Sequence, residues 1–233
     1  MKHCESYKYY FFVNLSFICS MKKLIVSATE KEVQPLLEKA KRETDCLFSL
    51  TNEIDILITG VGVVQTTFNL MHHLEKNRYD QLINVGIAGG FSPSLAIGTV
   101  VEVIADTFGD FGVDDNGQFI PAGDVGLMEK DEFPFTGGWL KNSEPFDVSL
   151  PQVKGITVQT TSGSTSQIEE RKKIFNPDIE TMESAAFFFV ALQKKIPFSA
   201  IRAISNKVEP RNKRDWDIEL AASNLTRYLE KKI

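Results

Sequence analysis

A basic face is missing from this sequence. Its 26 lysines and arginines are outnumbered by 31 aspartates and glutamates, for a net charge of −5. The basic residues are scattered rather than striped, which excludes the electrostatic footprint of a nucleic-acid binder. Cysteine is scarce: Cys4, Cys19 and Cys46 are an odd set with no zinc-like spacing. No disulfide framework can be built from them, so a reducing, cytoplasmic setting is expected. Histidine is limited to His3, His72 and His73. Adjacent residues on a helix point in different directions, so His72 and His73 cannot face one ion. Both are expected on the surface, and no metal is expected.

The chain also lacks an apolar run of bilayer length. The nearest approach is Tyr9-Tyr-Phe-Phe-Val-Asn-Leu-Ser-Phe-Ile18, after Lys2 and Lys8. It is too short to span a membrane. Glu5 and Asn14 spoil it as a signal peptide, and no small-x-small cleavage site follows. Met21-Lys-Lys-Leu-Ile-Val reads as a start in its own right. Residues 1–20 are therefore expected to be an extension outside the working fold, with a targeting segment as the alternative. Residues 21–233 are expected to form one domain.

What is present is a chain of 233 residues, 42% hydrophobic and 24% charged. That suits a single soluble α/β domain with a sizeable core. β-rich runs at 24–27, 54–59, 82–85, 98–105, 155–161 and 198–204 read as strands. Between them, helical spacing is found at 29–42, 64–76 and 167–175, after Met182, and at 218–231. Asn176-Pro177 stops the third of these helices. Strands alternating with helices imply a mostly parallel sheet covered on both faces. Residues 106–153 lose periodicity and are rich in Gly and Pro. So long an irregular stretch reads as a lid and interface segment carrying short strands. Phe187, Phe188 and Phe189 read as core or subunit-interface residues.

Several polar positions interrupt this pattern. Glu32 follows Thr29 at capping-box spacing, a hydrogen-bonding device at helix starts. It also projects from a strand-to-helix turn, the edge at which open α/β sheets bind ligands. Gly60-Val-Gly62 and Gly86-Ile-Ala-Gly-Gly90 end two strands and let backbone approach a ligand closely. Neither is a dinucleotide fingerprint, since the third glycine and the distal acid are missing; no cofactor is expected. The stretch 180–216 places Glu183 before an apolar helix and Asn206 at the end of a buried strand.

Ala28-Thr-Glu-Lys-Glu32-Val, Gly60-Val-Gly62, Asn84-Val-Gly-Ile-Ala-Gly-Gly90, Met182-Glu-Ser-Ala-Ala186 and Arg202-Ala-Ile-Ser-Asn206 together resemble the nucleoside phosphorylase and nucleosidase superfamily. Their order and spacing are those of the methylthioadenosine/adenosylhomocysteine nucleosidases. The resemblance implies a three-layer αβα sandwich around a mostly parallel, mixed twisted sheet, usually as a homodimer. It implies a purine nucleoside as the small-molecule substrate, with no nucleic-acid or membrane partner. Carried over by position, Glu32 would activate water, Met182 would pack on the ribose and Glu183 would bind its hydroxyls. Gly62, Ala88 and Gly89 would line the pocket, and residue 206 would address the N7 edge of the base.

Two departures refine this. The phosphorylases carry a Gly-rich phosphate loop with an Arg where this chain has Ser27-Ala-Thr-Glu-Lys. A carboxylate there repels phosphate, which favours water as nucleophile. The adenine-specific nucleosidases place Asp at position 206, whereas Asn206 has a neutral amide that can donate to the N7/O6 edge of a 6-oxopurine. Asn206-Lys-Val-Glu-Pro-Arg211 with Trp216, and Asp114-Asp-Asn-Gly-Gln-Phe-Ile-Pro121, resemble the futalosine hydrolases, which release hypoxanthine from futalosine in an alternative menaquinone pathway. Arg211 then either meets the carboxylate-bearing tail of such a substrate or is a surface ion-pair residue. The rival expectations are an adenine-releasing nucleosidase, a 6-oxopurine phosphorylase and a non-catalytic nucleoside-binding module.

Overall fold

Lys23–Ser27 is a β-branched run whose last four residues are all buried, as a strand covered on both faces requires. It is β1 of a computed structural model that describes residues 21–233; the expectation for residues 1–20 lies outside them. In chain order follow α1 (Glu30–Leu37), β2 (Lys41–Arg42), β3 (Leu47–Thr51), β4 (Ile54–Ile58), α2 (Val63–Lys76) and β5 (Gln81–Gly90). Then come β6 (Val100–Phe108), β7 (Gly112–Asp115), β8 (Gln118–Pro121), β9 (Phe135–Thr136), β10 (Trp139–Lys141) and β11 (Gln152–Thr157). The chain continues through α3 (Thr165–Phe175), β12 (Ile179–Thr181), α4 (Ser184–Lys194) and β13 (Phe198–Lys207), and ends in α5 (Ile218–Lys232).

The expected αβα layering is present, and strand alternation explains it. Leu24 and Val26 of β1 join a core completed by Leu70 of α2 and by Ala185, Phe187 and Phe188 of α4. Ile25 points the other way, into a core with Val33 and Leu36 of α1 and Leu225 and Leu229 of α5. Period-2 side-chain direction thus sends neighbouring residues to opposite helical layers. The sheet is mixed: β1 runs parallel to β4 and β5, and β5 parallel to β13. It also closes on itself, which the sequence did not announce. β5 pairs β13, β13 pairs β6, β6 pairs β11, β11 pairs β12, and β12 returns antiparallel to β5.

Several boundaries differ from expectation for identifiable reasons. The first helix stops at Leu37, and Lys41–Arg42 turns back as β2 against β3, an edge hairpin hidden in polar sequence. The glycine run at 86–90, expected to end a strand over 82–85, makes up the whole second half of β5. β12 was missed because three residues are too few to show a period. The irregular stretch does carry short strands, and it is tied down by Glu102. That residue is fully buried, and its carboxylate accepts the N–H groups of Phe146 and Asp147 at 2.7 and 2.9 Å. His72 is exposed, but His73 is half-buried, with Nε2 2.9 Å from the Tyr79 hydroxyl, so only one of the pair lies on the surface as expected.

Phe187 and Phe188 are fully buried and meet Phe198 edge-on, with ring centroids 5.7 and 4.7 Å away. Phe189 is partly buried and packs on Phe135. Phe188→Ala removes the closest of these aromatic contacts and leaves a cavity in the α4 layer. The expected cost is about 3–5 kcal/mol, read as a lowered denaturant midpoint with an unchanged slope.

Candidate active site

The end of β1 and the start of α1 form the first wall. Thr29 has extended backbone angles and caps α1, and the capping box expected with Glu32 is formed. Glu32 Oε2 accepts the Thr29 N–H at 3.0 Å and the Thr29 hydroxyl at 2.9 Å. Its other oxygen, Oε1, crosses to β5 and accepts the Ile87 N–H at 3.0 Å. A Cβ at position 86 would lie 2.6 Å from that oxygen, so glycine there permits the approach.

β12 leads through Met182 into Glu183 and α4, forming the second wall. Glu183 Oε1 accepts the Gly62 N–H at 2.9 Å. Burial raises the Glu183 pKa, opposed by the Gly62 amide and by Arg202, while Glu32 adds to the rise. Arg202, on β13, is 2% exposed and donates to Ile201 O, to Asn84 Oδ1 and to Ser184 Oγ. A third carboxyl stands behind: Asp106 is fully buried, and its Oδ1 accepts the Thr157 hydroxyl at 2.7 Å. Its Oδ2 has no hydrogen-bond partner among the described residues. Burial pushes Asp106 up to about 7, against the pull of Thr157 and Arg202. Thr157 Oγ1 in turn accepts the Ala185 N–H at 2.7 Å, so the chain of contacts anchors the first turn of α4.

The third wall is the end of β13. Asn206 Oδ1 accepts the Ser205 hydroxyl at 2.8 Å, and Nδ2 donates one proton to Lys207 O at 2.9 Å. An amide has two N–H groups, so one donor is left for a ligand. A Cβ at position 89 would come within 3.3 Å of Nδ2 and 2.8 Å of Val208, so glycine keeps the space before Asn206 open. Arg211 lies over the Trp216 ring, 5.4 Å from its centroid, and reaches Thr161 Oγ1 at 3.2 Å.

These walls enclose a cavity of about 280 Å³. Of the residues singled out in the sequence, Glu32, Ala88, Gly89, Met182, Glu183, Asn206 and Arg211 line it together. Gly62 stands beside this lining, and its N–H supports the Glu183 carboxylate. Sequence reasoning missed Arg202, Asp106 and Glu180. All three sit in strands, but only Arg202 fell inside an expected one; Asp106 opened the irregular stretch, and β12, which carries Glu180, was missed.

The chain belongs to the phosphorylase superfamily, whose family model matches residues 22–233. Among its curated relatives is a futalosine hydrolase of Streptomyces coelicolor, 28% identical over 186 residues that cover 77% of this chain and 78% of that one. Another is an aminodeoxyfutalosine nucleosidase of Campylobacter jejuni, 24% identical over 220 residues, 84% of this chain and 90% of that one. Among solved structures, the native futalosine hydrolase of Helicobacter pylori superposes with a TM-score of 0.76 at 16% identity, covering 91% and 97% of the two chains.

A carboxyl whose pKa is raised by folding is bound to its proton more tightly in the fold than in the unfolded chain. Asp106 therefore makes stability fall as pH rises from about 4 towards 7, with no further change above. Asp106→Asn removes this dependence. Its melting temperature is expected to vary less than that of the parent between pH 5 and pH 8, the parent losing up to about 2.6 kcal/mol across the window. Parallel melting profiles would refute the assignment.

Proposed function

We propose that this protein is a hydrolase that cleaves the N-ribosidic bond of futalosine and releases hypoxanthine. The observation that carries the reading is the amide of Asn206. Ser205 holds its Oδ1, and the remaining Nδ2 proton is free to meet the N7/O6 edge of a 6-oxopurine. The relatives include proteins named for 6-oxo and for amino substrates, so the side chain at the base edge decides between them.

Breaking the bond builds positive charge on the sugar and negative charge on the leaving purine. Glu32, fixed by α1 on one oxygen and β5 on the other, is the base that takes a proton from water. By analogy with inverting glycosidases, attack comes from the face opposite the leaving group. Glu183 holds the ribose hydroxyls, and its charge favours the cationic transition state. Met182 packs on the ribose, with Ala88 and Gly89 beside it. Asn206 stabilises the leaving base by hydrogen bonding alone, which suits hypoxanthine, whose oxo group shares the developing charge.

Water rather than phosphate is the nucleophile. Arg202, the cation behind the floor of the cavity, is engaged by Asn84, Ser184 and Ile201, and Glu32 would repel a dianion. Arg211 at the rim meets the acidic tail of the substrate. We read the protein as a cytoplasmic homodimer or higher homo-oligomer. No helix among the described residues is long and apolar enough to cross a membrane. Val64 and Phe68, 71% and 66% exposed on α2, offer an apolar face for a subunit contact.

In phosphate-free buffer, futalosine is expected to yield hypoxanthine on chromatography, while methylthioadenosine and aminodeoxyfutalosine yield little adenine. A requirement for added phosphate would overturn the hydrolase reading. Glu32→Gln is expected to abolish turnover in a folded protein, whereas a purely capping role would cost only about 1 kcal/mol of stability. Asn206→Asp is expected to shift preference towards 6-amino nucleosides by roughly 5- to 150-fold, the worth of one mismatched buried hydrogen bond. An unchanged ratio would mean that Asn206 does not read the base.

A further inference from the structure

Glu183 is the N-cap residue of α4, yet its side chain caps nothing in that helix. The first N–H groups of a helix have no intrahelical acceptor, and the N-cap side chain ordinarily supplies one to the second or third of them. Here two threonines on neighbouring strands do so. Thr181 Oγ1, on β12, accepts the Ser184 N–H at 3.3 Å, and Thr157 Oγ1, on β11, accepts the Ala185 N–H at 2.7 Å. Ala185 is the second residue of α4, so Thr157 fills the place of a capping side chain. The Glu183 carboxylate is turned elsewhere, to the Gly62 N–H and the cavity.

The direction of the protons in this cluster is fixed. Thr157 has one hydroxyl proton, and it goes to Asp106 Oδ1 at 2.7 Å. With that proton committed, Thr157 Oγ1 only accepts. It takes the Ala185 N–H and also lies 3.2 Å from Thr181 Oγ1, so Thr181 is the donor in that pair and keeps its lone pairs for Ser184. Every donor in the chain from α4 to Asp106 has an acceptor. Thr157 and Asp106 are both fully buried, where apolar side chains would pack at a lower desolvation cost. Capping α4 is the polar task this pair discharges. Glycine at 155 leaves room for it, since a Cβ there would run into Asp106 Oδ2.

Resting on the reading that Glu183 holds the ribose hydroxyls, we propose that Thr157 is a positioning residue for the reaction: it caps α4 in place of Glu183 and so leaves that carboxylate to the substrate. Without the Thr157 hydroxyl, the Ala185 N–H is a buried donor with no partner, a costly state. The acceptor nearest to it in sequence is the N-cap carboxylate itself. Glu183 then turns back onto its own helix, where the helix dipole also favours a negative group, and releases the Gly62 N–H. Thr157 is not among the residues that line the cavity, so it acts on the substrate only through Glu183.

The test compares Thr157→Val, which keeps the shape and removes the hydroxyl, with Thr157→Ser, which keeps the hydroxyl. Both kcat and KM for base release from futalosine are measured well below the melting temperature of each variant. Leu229→Ala, a core truncation near the end of α5, is the control for lost stability. Thr157→Val is expected to lower kcat/KM roughly 10- to 100-fold, as displacement of a substrate-holding group does. Thr157→Ser is expected to keep the parent's value, and Leu229→Ala to lose melting temperature alone. A crystal structure of Thr157→Val is expected to show the Glu183 carboxylate at the Ala185 N–H and away from Gly62. If Thr157→Val does not fold, Thr157→Ala, which removes the hydroxyl without adding a methyl, takes its place in both measurements. Parent kinetics without the hydroxyl overturn the proposal, as does an equal loss in Thr157→Ser or in Leu229→Ala. A Glu183 still bonded to Gly62 overturns it whatever the kinetics. If the parent releases no base from any nucleoside, the hydrolase reading fails, and the crystal structure alone decides the role of Thr157.

Discussion

The guanidinium of Arg202 is 2% exposed on a central strand, where an isolated charge would be very unfavourable. Its protons are met by a backbone carbonyl, by Asn84 and by Ser184. Burial lowers its pKa, and Glu183, Glu32 and Asp106 pull it back up. The dependence runs both ways, because the same cation is what allows three carboxyls to be gathered in one low-dielectric region. Deleting one member of such a group strands the others, typically at about 3–5 kcal/mol. Arg202 therefore couples β13, β5 through Asn84, and the start of α4 through Ser184. Those are the elements that carry Asn206, Gly89 and Glu183.

β5 is the strand on which these constraints converge. It hydrogen-bonds β1 along its first half, β12 at Gly89 and Gly90, and β13 along its length. A strand with so many partners would normally carry bulky β-branched side chains, and its first half does. The second half is mostly glycine because the space above it belongs to side chains from elsewhere, Glu32 over Gly86 and Asn206 over Gly89. Sheet closure and cavity are thus one feature: the ring of strands brings the walls together, and the missing side chains leave the volume.

The same trade explains what could be read in advance. Long periodic elements such as α2 and α5 were legible because their apolar stripe repeats over several turns. The motifs around Glu32, Glu183 and Asn206 were legible because charge or amide ends an apolar run. The glycine run at 86–90 was read as the end of its strand rather than as half of it, since local preference speaks against glycine in a strand; only side chains distant in sequence make glycine the right residue. β2, β3 and β12 are too short or too polar to declare themselves. Arg202 and Glu180 carry charge inside buried strands, and their partners lie far away in sequence, Asn84 and Ser184 for the one, Ser162 and Arg171 for the other. Their burial follows from tertiary pairing that no local pattern encodes.

Glu32 shows why a structural and a chemical role need not compete. A capping residue needs only to reach back to Thr29, and Oε2 does that. Capping does not require Oε1 to cross to β5 and accept from Ile87, on the strand that forms the cavity floor. That second bond fixes the carboxylate plane relative to the strand bearing Ala88 and Gly89. Its position at the start of α1 adds the favourable field of a helix N-terminus for a negative group. The cap removes rotamer freedom from Glu32, which a base must also lose to hold water in one geometry. A device that begins a helix therefore also fixes the carboxylate to which the proposed mechanism gives the role of base.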